Sequence, residues 1–295
     1  MHTAPEHRGL PLHTPGRRQL GLIGVILMLG LTLAGGTARA QEQRVYTKVF
    51  APRPGTSDTR GLEPLARSTT LFHAGRAFDH LESSDEIVVF EPAHERFVLL
   101  DPTREAQAEI TFAEIENLVH RATHRAKQFV QQAESRRDAK EKDLVKLVKC
   151  QLEPPFHEQY DPTANTLSLE CDAIKYSVAT APNADAAVVR QYVRYADWTA
   201  RLNFVLHPQA APPEPRLRLN AALGRLQVLP VRVRLEILSQ PKSVRVAEHV
   251  FDSKLTSEDR RQLTLWDGLM RSGTLKTIPF ADFQGAARGG KTAGK

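Results

Sequence analysis

Two neighbouring runs, Ile87-Val88-Val89-Phe90 and Phe97-Val98-Leu99-Leu100, are apolar at every position. Successive side chains of a strand point to opposite faces, so each run carries two apolar faces rather than one. Such strands must be covered on both sides, by the chain's own helices or, on one side, by a greasy ligand. They belong to a β-like stretch from Arg44 to Ile110 that opens with Val45-Tyr46-Thr47-Lys48-Val49-Phe50 and is interrupted by a Pro/Gly-rich loop from Pro52 to Pro64. Thr69 to Ala74, Arg76 to Leu81, Glu86 to Glu91 and Glu95 to Leu100 follow, divided by Gly75, Ser83-Ser84-Asp85, Pro92 and Asp101-Pro102. This punctuation predicts an antiparallel meander.

A helix begins at Thr111-Phe112-Ala113-Glu114, a capping box in which the threonine accepts from an early backbone N–H while the glutamate reaches back to the cap. Phe112, Ile115, Leu118, Val119, Ala122, Ala126, Phe129 and Val130 recur at helical spacing and predict one buried stripe. From Glu134 to Asp143 the chain is almost wholly charged or polar, and the pattern resumes at Leu144. One long helix projecting past the sheet and a break near Ser135 both fit. Thr166 to Glu170 and Ala173 to Thr180 read as strands. A helix from about Ala184 to Leu206 then carries Val188, Tyr192, Tyr195, Leu202 and Val205 on its inner side. After Pro208 to Pro215, a short helix from Arg216 to Leu223 ends at Gly224. Leu226 to Leu238 and Ser243 to Phe251 read as an antiparallel pair, and Thr256 or Ser257 caps a helix containing Leu263, Trp266, Leu269 and Met270, with Gly273 as its stop. From Gln284 onward a small, basic tail is expected to be disordered. The fold class is α+β: a curved, half-barrel-like antiparallel sheet with helices against one face, one of them long.

The first forty residues have the three regions of a cleavable secretory signal. Arg17 and Arg18 supply the charge, Leu20 to Leu33 the apolar stretch, and Ala38-Arg39-Ala40 the cleavage box, leaving Gln41 as the new N-terminus. The apolar stretch falls short of the roughly 20 residues of a spanning helix, so an uncleaved membrane anchor is the alternative reading. The mature chain, residues 41–283 as one globular domain plus the tail, has no further span. Removing residues 1–40 takes away four arginines and Glu6, lowering the net charge from +6 to about +3, too small for a nucleic-acid footprint. The two cysteines, Cys150 and Cys171, read as a disulfide in an oxidising compartment or as two separately buried thiols.

Chemistry-bearing patterns are few. Gly285-Ala286-Ala287-Arg288-Gly289-Gly290-Lys291-Thr292 satisfies the phosphate-loop spacing, but only three residues follow where a helix should aim its amides at the phosphates. Glu116, His120 and His124 share one helix face, which lies round from the apolar stripe and reads as a solvated edge rather than a metal site. Asp79-His80 and His94 lie in or beside the meander, where each is equally a strand-edge or turn residue. Trp198, Phe204 and Trp266 could line a lipid pocket, yet aromatics at helical spacing are ordinary core. No catalytic residue, metal or cofactor is assigned.

The order of elements, ending in Leu229-Pro230-Val231-Arg232-Val233-Arg234-Leu235-Glu236-Ile237 paired with Val244-Arg245-Val246-Ala247-Glu248-His249-Val250, resembles the periplasmic lipoprotein-carrier (lipoprotein-sorting) superfamily. Its half-barrel sheet wraps helices and can hold an acyl chain. Thr70-Leu71-Phe72-His73-Ala74-Gly75, Phe90-Glu91-Pro92-Ala93-His94-Glu95-Arg96-Phe97 and Leu255-Thr256-Ser257-Glu258-Asp259-Arg260 look like a group of exported bacterial proteins of unknown function. The resemblance implies a fold and a hydrophobic ligand and transfers no binding residue. The expected function is non-enzymatic: binding a lipid or acylated protein in the periplasm or cell envelope. The rival is an envelope scaffold that recruits a protein partner through the charged part of the long helix. A hydrolase or metal enzyme comes third, because no convergent set of acid, base or ligands shows by spacing.

Overall fold

The computed structural model describes residues 42–56, 58–136, 142–182, 184–207, 210–238 and 243–289. The expected signal, with Ala38, Ala40 and Gln41, lies outside the described residues.

In chain order the elements are β1 (Gln43–Phe50), β2 (Ala66–His73), β3 (Arg76–Leu81), β4 (Glu86–Glu91), β5 (Arg96–Asp101), β6 (Ala106–Thr111), α1 (Phe112–Arg136), α2 (Lys142–Leu152), β7 (His157–Asp161), β8 (Thr166–Glu170) and β9 (Ile174–Ala181). There follow α3 (Ala186–Leu206), α4 (Glu214–Leu226), β10 (Leu229–Ile237), β11 (Ser243–Asp252), α5 (Ser257–Arg271), β12 (Lys276–Thr277) and α6 (Phe280–Gly289). The fold is α+β. Its strands form one open sheet in the order β12-β6-β5-β4-β3-β2-β1-β11-β10-β9-β8-β7, antiparallel except where β12 runs parallel to β6. β1 is the seam: it pairs with β2 on one side and with β11, some 200 residues later, on the other.

The meander follows from its turns. His73 pairs with Arg76, and the two residues between, Ala74 and Gly75, have φ of 49° and 77°. Both central residues in the left-handed region make the tight hairpin whose twist matches that of the strands. The β4–β5, β5–β6 and β7–β8 connections are four-residue loops that open with Pro92, Pro102 and Pro162 and close on Glu95, Glu105 and Asn165, each at φ near 50°. Proline presets the first turn position. Asp101 and Asp161 accept backbone N–H groups from the loops they precede, from Arg104 at 2.8 Å and from Thr163 at 2.8 Å.

The doubled apolar character of β4 and β5 is answered by helices on both faces. Phe90, Phe97 and Leu99 pack on the inner face with Phe112 and Ile115 of α1, Tyr195 and Leu202 of α3 and Phe283 of α6. Ile87, Val89, Val98 and Leu100 pack on the outer face against Leu263 and Trp266 of α5. The expectation of helices on one face is therefore corrected: α5 lies opposite the others, pinned by a two-pronged pair from Arg76 to Asp267 at 2.8 and 3.0 Å. Its N-terminus is held by a capping box between Thr256 and Asp259.

Of the two helix readings, the break holds. α2 folds back along α1, tied by Lys149 to Glu134 and Lys127 to Glu153, both at 2.5 Å; residues 137–141 lie outside the described residues. The Thr111–Glu114 box forms in both directions. Phe129, expected in the buried stripe, is exposed, while Val130 and Ala133 beyond it on α1 are buried. Gly224 does not stop α4, which runs on to Leu226 with Gln227 taking the left-handed cap; Gly224 instead faces Val193 of α3. The tail expected to be disordered from Gln284 continues α6 through Gly289, since Phe283 is buried in the core; residues 290–295 lie outside the described residues. Strand β7, His157–Asp161, is exposed along most of its length and has no apolar alternation that would announce it.

Candidate functional site

Between the two well-filled parts of the inner face the packing opens. α3 passes over β3, β2, β1 and β11, presenting Ala196, Thr199 and Ala200 at helical spacing to Thr47, Ser68 and Thr70 of the strands. Small side chains on both sides cannot meet, and a cavity of about 370 Å³ remains. Phe72, Tyr192 and Tyr195 wall it with Val45, Val49 and Ala247. A mostly apolar wall with a few inward polar groups is the usual make-up of a small-molecule site.

Those polar groups gather at two ends. On β3, Asp79 accepts a hydrogen bond from the Thr70 hydroxyl at 2.7 Å. Burial pushes its carboxyl above the ordinary value of 3.8, with hydrogen bonds from Thr70, Tyr195 and Ser68 pulling the other way. Tyr195 is raised well above the usual phenol value of 10, first by burial and then by the neighbouring Asp79 charge. On β11, the His249 ring meets the Thr47 hydroxyl through Nδ1 at 2.9 Å, while its buried Nε2 has no hydrogen-bond partner among the described residues. Burial, and then the positive charge of Arg216, lower His249 from 6.5 to about 3, so the ring is neutral at physiological pH.

Arg216 enters from α4. It donates through Nε to Asn220 at 3.0 Å and through Nη2 to the Tyr192 hydroxyl at 3.3 Å. Asn220, fully buried, passes a hydrogen bond on to Asp197 at 2.8 Å. Asp197 is raised above its ordinary value by burial, against the Asn220 hydrogen bond and the charges of Arg201 and Arg216. Among the described residues no carboxylate lies within 4.0 Å of the Arg216 guanidinium, whereas Arg76, Arg96 and Arg104 all have one.

A second opening, about 810 Å³, is a surface groove beneath the α1–α2 hairpin, floored by Val130, Leu152 and Pro155 and by Cys150 and Cys171. Those two cysteines form a disulfide across a separation of 21 residues, tying α2 to the β8–β9 turn. The lysines on the rim are already committed: Lys127 to Glu153, Lys146 to Asp172 and Lys149 to Glu134. No side chain of this groove is left with a buried polar atom unpaired among the described residues.

The other residues singled out in the sequence do not converge. Glu116, His120 and His124 are exposed on α1. Asp79 and His80 face opposite sides of β3: Asp79 lines the cavity, while the His80 ring lies 5.5 Å from Trp266 on the outer face. His94 sits in the β4–β5 turn, 3.3 Å from Glu91. Trp198 stacks on Phe112 at 3.7 Å and Trp266 on Phe78 at 6.2 Å; neither lines the cavity, nor does Phe204. Gly285 to Gly289 of the phosphate-loop match fall within α6, and the rest of it is outside the described residues. Thr47, Arg216 and His249 went unnoticed as site residues. The sign was available: Thr47, Ser68, Thr70 and Asp79 are polar at positions whose strand neighbours two residues away face the core. No family model matches the chain, and no curated protein is similar to it by sequence.

Proposed function

We propose that this chain is a non-enzymatic, exported cell-envelope protein that binds a small single-chain amphiphile between the inner face of its sheet and α3. The cavity under Ala196, Thr199 and Ala200 carries the reading. At about 370 Å³ it lies at the low end of the roughly 300–1,000 Å³ typical of small-molecule sites, which suits one chain rather than a multiply acylated lipid. The apolar faces of β4 and β5 are occupied by helices, so the ligand space falls to the neighbouring strands, where α3 stands off the sheet. Carriage in the envelope is supported by the signal-like leader and agrees with a disulfide between Cys150 and Cys171. A chain still attached to a protein would offer the same chemistry from a tether.

Detergent-free purification from the cell envelope followed by native mass spectrometry and lipid extraction tests this. We expect a sub-stoichiometric adduct with the mass of a single-chain amphiphile. Protein that is consistently empty and takes up neither decanoate nor decanol when these are supplied overturns the reading.

A further inference from the structure

We infer that the ligand of this cavity is an anion whose headgroup is held by Arg216 with His249 beside it. The inference rests on the binding function proposed above and names the chemical class it selects. The Arg216 guanidinium is half-buried and, among the described residues, has no carboxylate in direct contact, so the fold leaves part of its donor fork for something else to meet. Asp197 feels this charge but does not pair with it directly: Asn220 stands between them, hydrogen-bonded to both. Nor does Asp79, which is on β3 while His249 is on β11. Those strands are separated by β2 and β1, roughly 14 Å across the sheet at the usual strand spacing.

His249 adds the second observation. Thr47 fixes one nitrogen of its ring, and the other, Nε2, is buried in the cavity wall with no partner among the described residues. A buried polar atom left unpaired costs free energy comparable to a lost hydrogen bond. With Nε2 protonated, His249 donates to the same headgroup that Arg216 attracts, and Thr47 then donates its hydroxyl proton to Nδ1. Carboxylate or phosphate geometry matches a guanidinium fork, and a neutral or cationic headgroup does not. The uncharged body of the ligand lies along Val45, Ala196 and Ala200.

Isothermal titration of the mature protein with decanoate, decanol and decyltrimethylammonium decides the matter. We expect decanoate to bind at least tenfold more tightly than decanol, and the ammonium compound most weakly. Arg216→Gln should bring decanoate down to the affinity of decanol while leaving decanol within twofold of wild type, and Arg216→Lys, which keeps the charge but not the fork, should retain only part of the preference. Equal binding of decanoate and decanol by the wild type, or tightest binding of the ammonium compound, refutes the headgroup assignment while leaving amphiphile binding standing. If none of the three binds, the proposed function itself fails. The wild-type comparison reads out whether or not the variants fold.

Discussion

Acidification should destabilise this protein through His249 by an amount that can be stated in advance. In the unfolded chain the ring takes up a proton near its ordinary value of 6.5; in the folded protein burial and the Arg216 charge hold that event down to about 3. The lowered value means the folded state forgoes a proton that the unfolded state binds. The His249 contribution to stability is therefore complete above pH ~6.5 and is lost as pH falls towards ~3. Each pH unit inside this window is worth about 1.36 kcal/mol, so about 2 kcal/mol is lost between neutral pH and pH ~5. Asp79, Asp197 and Glu214, whose values are raised by burial, work in the opposite direction and mask the effect in the wild type alone. The quantity to measure is thus the difference between wild type and His249→Asn, in which a polar atom is retained near Thr47 and the titration is gone. Urea unfolding of both at neutral pH and at pH ~5 should show the wild type losing about 2 kcal/mol more than the variant, whatever constant offset the substitution introduces. Parallel losses, within about 0.5 kcal/mol, would mean that His249 is protonated in the folded protein at pH ~5 and that water reaches its ring.

Trp266→Ala removes the side chain that stacks on Phe78 and covers the outer face, and should cost about 3–5 kcal/mol by chemical denaturation; a cost under about 1 kcal/mol would mean that α5 is not the cover of β4 and β5. Replacing both Cys150 and Cys171 by serine opens a 21-residue loop and should lower stability by roughly 3 kcal/mol, matched by the wild type under reducing conditions; an unchanged urea midpoint on reduction contradicts the pairing. Asp79 has its folded value raised above 3.8, so its contribution is fully present below that pH and is lost as pH rises through the folded value. Asp79→Asn removes this loss, and its melting temperature relative to wild type should be higher at neutral pH than at pH ~4; the reverse order would place a charged partner beside Asp79.

Several elements could be read from the chain because the forces that make them act over a few residues. The capping box of Thr111 with Glu114 forms as side-chain chemistry at short spacing requires, and of the two cap residues offered by Thr256 and Ser257 it is Thr256 that caps its helix. The ends of β3 and β4 fall at the turn residues that predict them. Elsewhere the local signal is weak or misleading: β7 exposes most of its residues, and Gly224, in other contexts a helix stop, lies inside α4 against α3.

Local order alone thus determined the meander, the capped helices and the demand that β4 and β5 be covered twice. What covers them was decided by tertiary structure, since nothing in Ile87 to Phe90 distinguishes α5 from a ligand. The cavity is a tertiary product in the same sense. Thr47 and His249 are 202 positions apart in sequence and become neighbours only because β1 pairs with β11, and the space beside them exists only because α3 sets its small residues over that seam. Periodicity and capping are properties of one segment, whereas a gap between two packed surfaces belongs to neither of them.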